Sequence, residues 1–123
     1  MTKRVVIADD VAEIRRLLTR MFRDQDDFVV VGEAANGDEA LSKCQDHAPD
    51  VVILDINMPV RSGLEVLPDI REAVPDALIV IFSGFSSASM TDRLLQLGAN
   101  AYIEKGTPSA DILGRLRDLV DSD

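Results

Sequence analysis

An open, doubly wound α/β domain built on a five-stranded parallel sheet is the fold class this sequence predicts. Three observations lead there. Short apolar, β-branched runs alternate five times with segments of helical spacing. The intervening segments are long enough for the crossover connections that parallel neighbours need. The 123 residues, nearly half of them apolar, suffice for one sizeable core and are too few for two, so residues 1–123 read as a single domain.

The first strand is "RVVIA" (4–8), followed by Val11, Ile14, Leu17, Leu18, Met21 and Phe22 at helical spacing. "FVVVG" (28–32) is the second strand, and Asn36-Gly37-Asp38 can start a helix carrying Ala40, Leu41, Cys44 and Ala48. "VVILD" (51–55) reads as a strand covered on both faces, with Met58-Pro59 marking the loop after it. Leu64, Leu67, Ile70 and Val74 give the third helix. Pro68 falls inside that pattern and would remove a backbone hydrogen bond, which predicts a late start or a kink. "LIVIFS" (78–83) is the fourth strand; Met90, Leu94, Leu95 and Leu97 form its helix, with Gly98 just past the end. "AYIE" (101–104) is the fifth, and Thr107-Pro108 can cap and open a last helix through Ile112, Leu113, Leu116, Leu119 and Val120.

Composition narrows the function classes. The longest apolar runs are a handful of residues, so neither a membrane span nor a signal peptide is expected, and a cytosolic location is. The single cysteine, Cys44, excludes an internal disulfide, and its place on an apolar helix face predicts a buried thiol. A formal charge of −9 disfavours nucleic acid and anionic membranes as direct partners and favours cations or basic surfaces. His47, near a helix end just before Pro49, reads as a solvated end residue, and Arg93, Arg115 and Arg117 as solvent-facing.

Ligands of such sheets bind beyond the carboxyl ends of the strands, near the point where the winding reverses. The first strand ends in Asp9-Asp10, the third in Asp55 and the fourth in Ser83-Gly84, while Lys105 follows the fifth. Taken alone, Asp9-Asp10 would read as caps for the first helix and Lys105 as a surface lysine. Together, three carboxylates on one edge repel one another unless a cation joins them, and hard oxygen donors favour magnesium, or manganese, over zinc or copper. An oxygen-only site with a lysine and a hydroxyl suits a phosphoryl group, and Asp55, at the end of the central strand, is the candidate nucleophile.

"IADD" (7–10), "LDINMP" (54–59) with Gly63 behind it, "FSG" (82–84) and "YIEK" (102–105) resemble the receiver domain of bacterial two-component response regulators, over residues 4 to 120. The resemblance implies a flavodoxin-like (βα)5 fold with strand order 2-1-3-4-5. It also implies that Asp55 accepts phosphate from a sensor histidine kinase. Asp10 would bind magnesium directly, Asp9 partly through water, and the Asn57 carbonyl would complete the protein ligands. Lys105 and Ser83 would hold the phosphoryl oxygens, and Ser83 with Tyr102 would switch the surface of the fourth helix, fifth strand and fifth helix. Asn57 and Phe85 stand where the family tunes phosphate lifetime; Phe85 cannot orient a water, so hydrolysis would depend on Asn57.

Two departures bear on the output. Gly106 follows Lys105 where the family usually has a proline in a cis bond, and the proline comes at Pro108. "KGTPSADIL" resembles receivers attached to LuxR-type helix-turn-helix outputs, while Asn100 replaces an aspartate that many winged-helix regulators use for dimer salt bridges. The expected role is therefore a phosphorylation switch, not an enzyme turning over an external substrate, acting on transcription through an output domain absent from this chain or standing alone and acting through protein contacts. Two rivals are weaker. A flavodoxin-like cofactor carrier needs a phosphate-cradling loop where "DDVAE" supplies carboxylates. An aspartyl phosphatase of the haloacid-dehalogenase kind typically needs an aspartate where Asn57 stands.

Overall fold

The computed structural model describes residues 2–84 and 87–122. Five strands, β1 (Lys3–Ala8), β2 (Phe28–Ala34), β3 (Val51–Leu54), β4 (Leu78–Ser83) and β5 (Ala101–Glu104), alternate with five helices. These are α1 (Ala12–Arg23), α2 (Gly37–His47), α3 (Gly63–Ala73), α4 (Ala88–Gln96) and α5 (Ser109–Asp121). The sheet is parallel throughout, in the order β2-β1-β3-β4-β5, as the resemblance implies. Among the described residues no helix is long and apolar enough to cross a membrane.

Strand alternation sorts the core into two layers. Val5, Ile7, Val51, Ile53, Val80 and Phe82 pack with Leu18 and Phe22 of α1 and Leu113 and Leu116 of α5. Val6, Ala8, Val52, Leu54, Ile79 and Ile81 point the other way, onto Ala40 and Cys44 of α2, Leu67 and Ile70 of α3 and Leu94 of α4. Both faces of β3 are therefore covered, which is why "VVIL" is continuously apolar. Cys44 is wholly buried, and burial pushes its thiol pKa up to about 12, far from a nucleophile's.

Several boundaries depart from the expectations. β2 runs two residues beyond Gly32, because past the irregularity at Val5/Val6 its ladder with β1 continues to Ala8 and Ala34, and an edge strand tolerates the exposed Glu33. α3 does not start late. Ser62 caps it, accepting from Glu65 N while the Glu65 side chain returns to Ser62 N, and this capping box holds the first turn despite Pro68 further in. Thr107 does not cap α5: its hydroxyl donates to Glu104 O at 2.6 Å, and Pro108 is the flanking residue whose carbonyl takes the first helical N–H groups. Nor does Asp9 or Asp10 cap α1, which begins after Val11. Arg117 is not merely solvent-facing, since it bridges to Asp27 at 2.8 Å and lies over the Phe28 ring. No peptide bond among the described residues is cis.

Candidate functional site

β1 and β3 are neighbours although β2 comes between them in sequence, so the winding reverses at their junction. The residues just beyond their carboxyl ends therefore share the crevice where ligands of this architecture sit. Asp55 N donates to Ala8 O at 2.9 Å, and Asp9 N to Ala34 O at 3.0 Å; each ladder thus extends one residue past the strand and carries its aspartate rigidly. Asp9, Asp10 and Asp55 come together, with one carboxylate oxygen of each lying within 4.8 Å of the other two. Asp9 is 1 % and Asp55 4 % exposed, whereas Asp10 is open to solvent.

Lys105 reaches this cluster because β5 ends beside β4: its N–H donates to Ser83 O at 2.8 Å, and Gly106 then turns the chain at φ +95°. Lys105 Nζ lies 2.8 Å from Asp9 Oδ2 and 3.2 Å from Asp55 Oδ2. Burial works against its charge, but the contacts with Asp9 and Asp55 outweigh it and hold the lysine above its ordinary pKa. Asp55 shifts the other way from a paired carboxylate. Burial and then the neighbouring Asp9 raise its pKa, and Lys105 and the Asn57 N–H offset only part of that. Asn57 is exposed in the loop after β3, its N–H turned to the Asp55 carboxylate.

Ser83 is buried at the end of β4, and its carbonyl accepts from both Lys105 N and, at 3.1 Å, the Tyr102 hydroxyl. Tyr102 is half-buried against the α2–α4 layer, and desolvation, with Glu104 and Asp55 nearby, raises its phenol pKa. Phe85 lies outside the described residues.

The loop between β3 and α3 is set by contacts that sequence reading missed. A Cβ on Gly63 would stand 1.9 Å from Asp55 O, and Gly63 N donates to Ile56 O at 2.7 Å, so α3 begins hard against the backbone of the phosphoacceptor candidate. Arg61 ties the same loop to both flanking helices, through Asp69 at 2.6 Å, Asp38 at 3.6 Å and its own carbonyl, which accepts from Gly37 N. Between them Val60, 73 % exposed, adopts φ 69° inside a three-residue turn closed by Arg61 N to Pro59 O, a conformation strained for a β-branched residue. Nothing in the pattern of charges or periodicity singles out Arg61 or Val60.

The donor set fits a magnesium ion. Three carboxylates face one lysine, every ligand is a hard oxygen, and the buried Asp9 Oδ2 is already ion-paired with Lys105 Nζ. One ammonium leaves the three clustered carboxylates with excess negative charge, which a bound cation offsets.

A parallel α/β sheet with this acidic cluster and lysine at its switch point has the chemistry of a site for magnesium-assisted work on phosphoryl groups. The family model described as "Response regulator receiver domain" matches residues 5–117, and the chain belongs to that family. Among curated proteins it is 40% identical over 124 residues to protein-glutamate methylesterase/protein-glutamine glutaminase 1 of Syntrophomonas wolfei, covering 96% of this chain and 34% of the relative. It is 37% identical to response regulator GacA of Pseudomonas viridiflava, covering 93% and 53%. The chain thus spans a third to about half of these relatives' length. Among solved structures it resembles the receiver domain of the putative response regulator NarL from Mycobacterium tuberculosis, with TM-score 0.91, 28% identity and coverage of 99% and 98%.

Proposed function

We propose that this receiver domain takes a phosphoryl group onto Asp55 from the phosphohistidine of a sensor kinase, in a magnesium-dependent transfer. The observation that carries the reading is the position of Asp55, buried at the end of the central strand, beside Asp9 and Asp10 and hydrogen-bonded to Lys105. Asp9, Asp10, Asp55 and the Asn57 carbonyl would hold the magnesium ion. Bound there, it neutralises phosphoryl oxygens and keeps the transferring group in line.

The chain's own residues do the rest. A carboxylate oxygen of Asp55 attacks phosphorus, the P–N bond to the kinase imidazole breaks, and the leaving nitrogen takes up a proton. A rigid strand suits this role, because in-line attack depends on alignment more than on covalent assistance. Lys105, already between Asp9 and Asp55, pairs with the phosphoryl oxygens as charge accumulates. The Ser83 hydroxyl binds the group once formed. Since Tyr102 is hydrogen-bonded to the Ser83 carbonyl, a shift of Ser83 reaches β5 and the surface made by α4, β5 and α5. Asn57, with Phe85, sets the lifetime of the acyl phosphate.

Upstream the partner is a histidine kinase. Downstream we place a helix-turn-helix output of the LuxR kind and thereby transcription, which the likeness to a DNA-binding response regulator of the LuxR family from Staphylococcus aureus supports. The domain turns over no external substrate.

Intact-mass spectrometry after incubation with magnesium and acetyl phosphate tests the core of the reading. Wild type should gain one phosphoryl adduct that is absent from Asp55→Asn and from chelator-treated protein. An adduct that persists in Asp55→Asn would overturn the assignment.

A further inference from the structure

Asp9 is held by several elements at once, and one anchor is a side chain that the chemistry above does not use. Its N–H donates to Ala34 O of β2, and its Oδ1 accepts from Val11 N at 2.9 Å. Its carbonyl accepts from Arg15 Nη1 of α1 at 2.7 Å. The Arg15 guanidinium is drawn to β2 in turn, with Nε 3.4 Å from Glu33 Oε1. A peptide unit is planar and carries Asp9 O and Asp10 Cα together, so anchoring Asp9 O restrains the position of the Asp10 Cα from which its side chain leaves the backbone. Asp10 is the exposed member of the acidic cluster.

We propose that Arg15, braced by Glu33, is a positioning residue for the magnesium site, restraining the place of Asp10 through the Asp9–Asp10 peptide unit. This rests on the reading that magnesium occupies the Asp9–Asp10–Asp55 cluster. The guanidinium also exerts a field, and the two effects have opposite signs. A positive charge hydrogen-bonded to Asp9 repels a second cation, so its field alone would weaken metal binding and its removal would tighten it. Positioning predicts the reverse, because a freed peptide unit lets Asp10 wander. Groups that orient metal ligands from behind are typically worth about 10- to 100-fold in affinity.

Calorimetric titration of magnesium into metal-free wild type, Arg15→Met and Arg15→Lys separates these. Methionine keeps the apolar stem and removes charge and donors; lysine keeps the charge and a single donor nitrogen but loses the planar fork. Arg15→Met should bind magnesium about tenfold more weakly, with Arg15→Lys between it and wild type. Acetyl phosphate loading of Arg15→Met should need correspondingly more magnesium yet reach the wild-type extent at saturation. Binding as tight as wild type or tighter in Arg15→Met would overturn the proposal, as would loading lost at every magnesium concentration, which marks a folding defect. Wild type that binds no magnesium would instead overturn the functional reading, and this inference with it.

Discussion

Asp55 is a carboxylate the fold would hold more easily without its charge. Burial and Asp9 raise its pKa, so the folded chain binds a proton there more tightly than the unfolded chain does. Stability at this site is therefore full below the ordinary value of 3.8 and falls as pH rises from there through the raised folded value. Asp55→Asn should consequently melt a few degrees above wild type at neutral pH in the absence of metal. The gain should shrink to nothing as pH drops below 4, which a series of thermal melts would read. Magnesium bound at this cluster should reverse the ranking by mass action, stabilising wild type by about 2.7 kcal/mol at 100 times its dissociation constant. At this scale Asp9, Asp10, Asp55 and Lys105 were legible in sequence only together, because alone the aspartate pair reads as helix caps and the lysine as a surface residue. Arg15 and Arg61 were not, since an arginine on a polar helix face or in a loop looks like any solvated one.

Among the elements, the junction of β3 and α3 carries the tightest constraint. The approach of Gly63 to the Asp55 carbonyl leaves no room for a side chain, and the clash is with backbone rather than a yielding side-chain end. Gly63→Ala should destabilise the domain by about 3 kcal/mol or more. In whatever protein folds, it should also slow acetyl phosphate loading by displacing Asp55; denaturant melts and intact mass measure the two effects. An unchanged melt would mean that α3 can back away at little cost. The capping box at Ser62 holds the same helix start, which is why a proline five residues on from Gly63 did not delay it. Periodicity revealed that α3 exists. Its start was decided by a cap and a close approach, neither of which a hydrophobic pattern records.

Across the whole molecule the two edges of the sheet divide the work. The carboxyl edge holds like charges and a strained turn, both of which oppose stability. At the opposite edge the Arg71 guanidinium gathers the end of α3 and the turn between α4 and β5. It donates to Gly98 O, Ala77 O, Pro75 O, Val74 O and Asn100 Oδ1, and the last also accepts from Ile79 N. The exposed Asn100 thus has its Oδ1 engaged within the chain. Arg71→Met strands these carbonyls and should cost about 2–4 kcal/mol in denaturant unfolding. Phosphoryl loading at temperatures below the melt should persist, since the clamp sits away from Asp55; loss of loading in a folded variant would refute that separation.

The sequence by itself determined the order and type of all ten elements, the parallel sheet, and the acidic residues and lysine that meet at one edge. Those features follow from burial periodicity and strand-end chemistry, which are local and recur. The tertiary structure alone decided which side chains brace that edge: Arg15 on the Asp9 carbonyl, Arg61 across two helices, Gly63 against Asp55, and Tyr102 on Ser83. Each joins residues whose partner is specified only when the chain has folded, and a polar position that faces solvent accepts many residues equally until a particular carbonyl or carboxylate is brought beside it.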